Sequence, residues 1–559
     1  MCILVYIKLV GNNMKKILLL LTFSILLSSY CHKNLTETEK LTSLAKVWGF
    51  LKYYHPQVAN GKFNWDEQLF KILPKVKNAT DKKQLSKIYI DWIESLGDIQ
   101  KCQKFNENSN DGNFNSNFDL NWLDDNTLFT EKLSKKLRYI QTNRHQGKKQ
   151  YVSLASAVGN IEITNEESYP YDWENENLRL LTLFRYWNII EYFYPYKYQT
   201  DTKWSEVLNQ TVLKFQNPKS EMDFNLAMLE LIVCVEDSHA RLATKSTNSF
   251  FGLKWIPAKF EIIEEKAIIT ELYNDSLALL NNLKIGDIIN KVNGKSIQEA
   301  YNENEKYISG SNEARKKINS YNAIFNGSTD SVNIEFLRNN KTRKKAVGRY
   351  PFNDFKYNWA KSNDKFKTLK DNIGYVNMGE IKIEDVPKIM DSLANTKAII
   401  IDIRNYPNST LYSVSRYISS KTNDFYAVTR PDLDYPGKFI WQIGNQCGID
   451  KELEYRGKVI LLVNGNTQSH AEFTTMCLQT GDNVATIGNQ TSGADGDVSR
   501  IEMVGGFKTA MSGIGIFYPD GTVTQRKGVK IDVEINPTLQ GILDGKDEVL
   551  DKAIEFANE

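Results

Sequence analysis

Two serine–histidine pairs offer the chain its most reactive chemistry. Ser469 and His470 lie in "TQSHAEF", after the apolar run "VILLVNGN", and Ser238 and His239 lie in "CVEDSHARL". A serine hydroxyl becomes a nucleophile when a base takes its proton, so these pairs point to acyl transfer. Ser469 falls between a buried strand and the helical stretch "AEFTTMCLQTG". Its hydroxyl and the first helix amides can therefore face one point and stabilise an oxyanion there. Glu472, three residues on, permits a second reading, in which Ser469 caps the helix and Glu472 completes a capping box. His470 does not suit its own neighbour as a base, because consecutive side chains at a helix start diverge; the base is expected elsewhere. No GxSxG elbow surrounds Ser469, which disfavours an α/β hydrolase. Five histidines without HExxH or CxxC spacing predict no metal site and no cofactor.

The elements that would carry these residues begin with a duplication. "VWGFLKYYHP" (Val47 to Pro56) overlays "YWNIIEYFYP" (Tyr186 to Pro195), pairing Trp48 with Trp187, Tyr53 with Tyr192 and Pro56 with Pro195. The register continues without a gap to Trp65 and Trp204, Asn78 and Asn217, and Asp98 and Asp237. Both copies show helical spacing that breaks at the proline, as a repeated helical unit would. They part at their ends: Ile99 and Gln100 in the first stand opposite Ser238 and His239 in the second. A histidine after an amphipathic helix also fits a plain half-buried role. Between the copies, "FNENSNDGNFNSNFDLN" reads as a loop or linker.

The chain has 559 residues, enough for three or four domains of ordinary size. With 41% hydrophobic and 25% charged residues it reads as globular, and a net charge of +2 gives no reason to expect nucleic acid. Met14-Lys15-Lys16 precedes "ILLLLTFSILLSSYC", the pattern of a secretory signal peptide, so translation is expected to start at Met14. Cys31 stands where a bacterial lipoprotein carries its lipidated cysteine, although Tyr30 is bulky where that processing prefers a small residue. Both a lipid-anchored and a free exported form stay open. Cys102, Cys234, Cys447 and Cys477 have no close spacing and read as free thiols or at most one disulfide.

Residues 250 to 350 alternate short β-type runs with turns. "DSLALLNNLKIGDIINKVNGKSI" resembles the core of PDZ domains, which bind extended peptides or free C-termini by strand addition. In that resemblance "FFGLK", with Phe251, Gly252 and Leu253, approximates the carboxylate loop; a plain β-barrel is the alternative. From Asn372 the pattern becomes strand, helix, strand, with apolar runs such as "AIIIDIR" and "VILLVN", which argues a sheet covered on both faces. The loop after "AIIIDIR" would lie beside the Ser469 loop at the carboxyl edge of the sheet, where ligands bind.

The order "DSHARL", PDZ-like module, "AIIIDIRNYP", "NTQSHAEF", "IGNQTSGADGDV" and "GIFYPDGTVTQRKGVKIDVEINPT" resembles the secreted C-terminal-processing and tricorn-type serine peptidase family, in its Bacteroidetes-like branch. The resemblance covers about residues 170 to 559. With the leader pattern over 1–31 and the duplication, which gives a first helical repeat plus linker over 32–165 and a second repeat over 166–245, it implies a multidomain α+β protein with a PDZ-like domain over 246–350 and, over 351–559, an α/β peptidase domain of the ClpP/crotonase-like type. It implies Ser469 as nucleophile. One branch pairs the nucleophile with a lysine, but "TSGADG" has Ala494 at that place. The tricorn-like branch instead implies His239 as general base with Ser238 orienting it, and a glutamate where this chain has Gln525. For the oxyanion it implies the His470 amide and one from the loop holding Asn408. The expected partners are polypeptide substrates in the periplasm, the outer membrane or outside the cell. A catalytically weak homologue that binds peptides through the PDZ-like module is the rival reading, and Ala494 and Gln525 are its support.

Overall fold

The computed structural model describes residues 34–101, 112–355, 364–452 and 454–559. The expected leader, Cys31 and Cys102 lie outside them. Among the described residues no helix is long and apolar enough to cross a membrane.

Each helical copy opens with an 18-residue helix, α1 (Glu37–Tyr54) in the first and Glu176–Phe193 in the second. Thr36 and Glu39 start α1 as a capping box, and the helix stops before Pro56, which has no N–H to continue the ladder. A 13-residue helix follows in each copy, α2 (Trp65–Lys77) and later Trp204–Gln216. The paired tryptophans explain why their register persists. Trp48 donates its indole N–H to the Trp65 carbonyl and Trp65 donates back to Trp48, each at 3.1 Å. Trp187 and Trp204 repeat the exchange at 2.9 Å. A buried indole N–H needs an acceptor, and this reciprocal pair satisfies both while locking two helices. In the first copy α3 (Lys82–Ser95) comes next, and α4 (Glu131–Thr142) lies in the segment between the copies. The second copy comprises α5 (Glu176–Phe193), α6 (Trp204–Gln216) and α7 (Glu221–Val233). The copies share one core. At their contact the Asn188 amide donates to Ala45 O at 3.0 Å, and Gly49 lies where a Cβ would come within 1.8 Å of Asn188.

The PDZ-like module is an antiparallel sheet of β1 (Ala258–Ile263), β2 (Lys266–Leu272), β3 (Ile288–Val292), β4 (Ser331–Arg338) and β5 (Lys341–Gly348), ordered β5-β4-β3-β2-β1. Asn293 and Gly294 supply the positive φ of a tight turn after β3. Helices α8 (Glu313–Asn319) and α9 (Tyr321–Phe325) sit before β4.

The C-terminal domain is built on a six-stranded sheet. Its order is β6 (Phe366–Leu369), β7 (Ile373–Asn377), β8 (Ala398–Asp402), the strand Lys458–Val463, the strand Val484–Gly488 and the strand Val533–Glu534. All pairs are parallel except β6 with β7. One face packs Ile389, Val414 and Ala471 from three helices, and the other packs the helix Glu548–Asn558, so the central strands read as unbroken apolar runs. A second, antiparallel sheet joins Ala427–Pro431, Phe439–Ile443 and Gly515–Phe517 to Asn113–Phe114, from the segment between the helical copies. The hairpin Val498–Glu502/Lys508–Ser512 reaches back to the helical unit, with Ser499 donating to Ile161 O at 2.7 Å. The domain is thus not the self-contained ClpP/crotonase-type layer that the resemblance implied over a local strand–helix pattern. That pattern reports only near neighbours, whereas these pairings join residues hundreds of positions apart.

Candidate active site

The strand Lys458–Val463 ends at the carboxyl edge of the sheet, and the chain turns through Gly465 to Ser469, where the helix His470–Leu478 begins. Ser469 holds φ 56° and ψ −122°. An ordinary N-cap adopts the β region, so this is not simple capping geometry. A serine there stores strain of about 1–3 kcal/mol, and such strain concentrates at functional turns. The turn is held by Glu472, a buried carboxylate with four donors. It accepts from the Ser469 amide at 3.2 Å, the Thr491 hydroxyl at 2.5 Å, and the Gly493 and Ala494 amides at 2.8 and 3.0 Å. Burial raises its pKa, and these donors offset only part of that rise. The Ser469 amide also donates to Ala494 O at 3.0 Å. Glu472 therefore does more than close a capping box: it ties the Ser469 turn to the 491–494 loop.

His239 comes from the loop after α7. Its Nδ1 lies 3.2 Å from Asp237 Oδ1 and 3.1 Å from Ser512 Oγ, and its amide donates to Asp237 Oδ1 at 2.9 Å. Asp237 is buried, and its Oδ2 accepts the Ser512 amide at 2.6 Å. Burial alone would raise the Asp237 pKa. Its hydrogen bonds with the His239 side chain and with the Ser512 and His239 amides, together with the His239 charge, outweigh burial and leave it lowered. A carboxylate oxygen can only accept, so Nδ1 carries the proton and Nε2 presents a lone pair. No hydrogen bond joins His239 to the Ser469 hydroxyl among the described residues.

The other expected residues fall into three groups. Ser238 is buried and does not touch the His239 ring. It exchanges hydrogen bonds with Ser311 (2.8–2.9 Å) and accepts from Ser492 Oγ at 3.0 Å. Ser492 Oγ also lies 3.1 Å from Gln468 Oε1, the alternative acceptor for its one proton, so a chain of polar contacts links the His239 loop to the residue before Ser469. Gln525 is buried beyond this chain, donating to Tyr194 Oη at 3.1 Å and Ser311 at 3.5 Å, with Oε1 unpaired. It does not orient His239. His470 opens the helix; its side chain is half-buried with Nε2 unpaired, and burial lowers its pKa. Its backbone amide has no acceptor within the helix, as expected at a first helical position. Asn408 turns its side chain to the Gly379 and Ile381 carbonyls at 3.2 and 2.9 Å. In the same loop Tyr406, not singled out from the sequence, lies with its ring 6.1 Å from His470.

Phe251, Gly252 and Leu253 are not arranged as an open carboxylate loop. The Gly252 amide caps its own helix on Asn248 O at 2.8 Å, and its carbonyl accepts from Asn326 at 3.3 Å. Phe251 packs on Tyr307, and Leu253 is 64% exposed. Between β1 and α9, Phe260 stacks on Phe325 at 4.1 Å, and the Tyr321 hydroxyl donates to the Ile256 and Ala258 carbonyls at 2.9 and 3.0 Å. Among the described residues no cluster of His, Cys, Asp or Glu could hold a metal.

Residues 372–535, which include Ser469 and Glu472, match the model of peptidase family S41. These residues form a peptidase family S41 domain, and the activity is that of a serine-type peptidase. His239 and Asp237 lie outside the matched segment. Mature CPAF complexed with lactacystin is similar in structure over 68% of this chain and 97% of its own, at 13% identity and a TM-score of 0.54. Mature CPAF alone covers 68% and 96%, at 12% identity and the same score. A peptidase of Parabacteroides merdae covers 68% and 96%, at 13% identity and a TM-score of 0.41. No curated protein sequence matches the chain. The shared fold overturns the ClpP/crotonase expectation: the chain has the multidomain α+β fold seen in mature CPAF.

Proposed function

We propose that this S41 peptidase cleaves polypeptides through an acyl-enzyme on Ser469, with His239 as general base and Asp237 holding it. Substrate binding brings the Ser469 hydroxyl to His239 Nε2; catalytic hydrogen bonds are commonly longer before substrate arrives. Ser469 Oγ attacks the scissile carbonyl as Nε2 takes its proton, and the carbonyl oxygen becomes an oxyanion facing the His470 amide. The C–N bond then breaks as Nε2 returns the proton to the leaving amine. Water attacks the resulting ester, giving its proton to His239; the ester C–O bond then breaks as Nε2 passes that proton to Ser469 Oγ, which restores the hydroxyl and the neutral base. Asp237 fixes the productive tautomer and stabilises the imidazolium that forms in each half-reaction.

The carrying observation is the buried Asp237 carboxylate on His239 Nδ1. It supplies the negative charge that Gln525 cannot, which removes the main support for an inactive homologue. The occupied Gly252 amide and the aromatic filling beside β1 further disfavour peptide capture by the PDZ-like module as the main activity. The leader pattern supports export, and Cys31 supports lipid attachment. Incubation with an unfolded polypeptide should give fragments with the intact chain and none with Ser469→Ala. Equal cleavage by both would refute the assignment.

A further inference from the structure

Two loops that carry the proposed chemistry meet on a segment of the PDZ-like module. Ser238 lies in the His239 loop, Ser492 in the 491–494 loop that Glu472 ties to the Ser469 turn, and Ser311 in the segment leading into α8; all three are buried. The Ser238 amide donates to Ser311 Oγ at 2.8 Å, and the Ser311 amide donates back to Ser238 Oγ at 2.9 Å. Ser492 Oγ lies 3.0 Å from Ser238 Oγ. The next residue, Asn312, donates its side-chain amide to the Thr491 and Arg526 carbonyls at 2.8 and 3.0 Å. Its Oδ1 accepts the Arg315 amide at 3.0 Å and so caps α8. Arg526 returns a bond from Nε to Ser311 O at 3.2 Å, while its Nη1 pairs with Asp201 and Glu236, each at 2.8 Å.

This junction holds strained backbone. Glu236 and Arg526 have φ of 53° and 65°, and neither is glycine. Such residues persist only where the surroundings over-determine them. Buried amides need acceptors, and the reciprocal exchange between Ser238 and Ser311 satisfies both only while the two backbones keep their spacing. The Ser238 amide precedes His239 directly. On the other side, the Thr491 hydroxyl donates to Glu472, which accepts the Ser469 amide. A shift of residues 311–312 is therefore passed to the base through one loop and to the nucleophile through the other. A misplacement of about 1 Å between reacting groups costs on the order of 100-fold in rate.

We propose that Ser311 and Asn312 are positioning residues for the peptidase reaction: Ser311 fixes the His239 loop and Asn312 fixes the loop beside Ser469, so that base and nucleophile keep their spacing. The inference rests on the reading of Ser469 as nucleophile and His239 as base. Ser311 acts through the Ser238 backbone and hydroxyl, and Asn312 through the Thr491 and Arg526 carbonyls.

The test separates positioning from folding. With an internally quenched peptide, Ser311→Ala should lower kcat about 10- to 100-fold and leave KM within about threefold of wild type. Asn312→Asp can still cap α8, but it turns an acceptor toward two carbonyls, and it should show the same split. Tyr321→Phe removes the hydrogen bonds to the Ile256 and Ala258 carbonyls inside the same module. It should lower Tm yet leave kcat within about threefold. Because Ser311 acts through Ser238, the Ser238→Ala/Ser311→Ala double variant should lose no more than about threefold beyond the worse single variant. Thermal unfolding reports the folding of each protein; if Ser311→Ala does not fold, Asn312→Asp decides. A folded deciding variant with kcat within about threefold of wild type, a loss carried by KM, an equal kcat loss in Tyr321→Phe, or losses at Ser238 and Ser311 that multiply overturns the proposal. Ser469→Ala and His239→Ala are assayed alongside. Full activity in either defeats the underlying reading, whereas two inactive controls beside an unimpaired Ser311→Ala defeat this inference alone.

Discussion

Replacing Asp237 by asparagine keeps the shape of the side chain and removes its charge. In the folded chain Oδ1 faces the His239 amide at 2.9 Å and Nδ1 at 3.2 Å, and Oδ2 faces the Ser512 amide at 2.6 Å. A hydrogen bond to a charged group contributes about 1.5–3 kcal/mol, or roughly 10- to 100-fold in rate at ~1.4 kcal/mol per decade. Asparagine can accept on one side only. If its oxygen stays on the Ser512 amide, its NH2 faces Nδ1 and moves the imidazole proton to Nε2, the nitrogen that must accept from Ser469. The two losses together predict a fall of about 10³- to 10⁴-fold in kcat/KM, carried mainly by kcat. If its oxygen instead stays on His239, a donor faces the Ser512 amide, and stability falls by about 1–3 kcal/mol. Asp237 has a lowered folded pKa, so its charge stabilises the fold above the unfolded carboxylate value, and this is lost as pH falls through the lowered one. The stability gap between wild type and Asp237→Asn should therefore narrow below about pH 4. Initial rates on an internally quenched peptide, with denaturation curves at several pH values, measure both effects. A folded Asp237→Asn protein with kcat/KM within about threefold of wild type would refute the role of Asp237.

Three further outcomes follow from the same geometry. Gln525→Glu should not raise activity, because Gln525 lies against Tyr194 and Ser311 and not against His239; a buried carboxylate there should cost several kcal/mol, read as a lower Tm. Ser469→Gly should abolish hydrolysis yet raise unfolding free energy by about 1 kcal/mol, since glycine tolerates the φ of 56° that strains serine. Glu236 is raised to about 7, chiefly by burial, beside Asp201 and Arg526. Its contribution is present below pH ~4.5 and lost as pH rises through about 7. Wild type should thus lose up to about 3 kcal/mol between pH 5 and 8, and Glu236→Gln should flatten that dependence in denaturant titrations.

The sequence carried the parts of the fold that depend on local chemistry. The repeated tryptophans kept register because each indole needs the carbonyl of its partner, and the apolar runs of β8 and Lys458–Val463 declared a sheet covered on both faces. Distant pairings left no such trace: nothing in Asn113–Phe114 announces Phe439–Ile440 as its neighbour, and the domain type was misread accordingly. At the proposed site, Ser469 and His239 stood out as residue types in recurrent contexts. Asp237 stood in plain view in "EDSH", but it also aligns with Asp98 in the copy lacking the histidine, so nothing in the sequence singled it out. Ser238 was expected to orient His239, yet its hydroxyl is spent on Ser311 and Ser492. Glu472 read as half of a cap, because its other three donors come from a loop some twenty residues away.

Serine labelling tests the central claim most directly. An intact chain treated with a fluorophosphonate probe, digested and mapped by mass spectrometry should carry the label on Ser469. Labelling should be lost in His239→Ala and kept in His470→Ala. A label on another serine, or Ser469 labelling that survives His239→Ala and disappears in His470→Ala, would contradict the account.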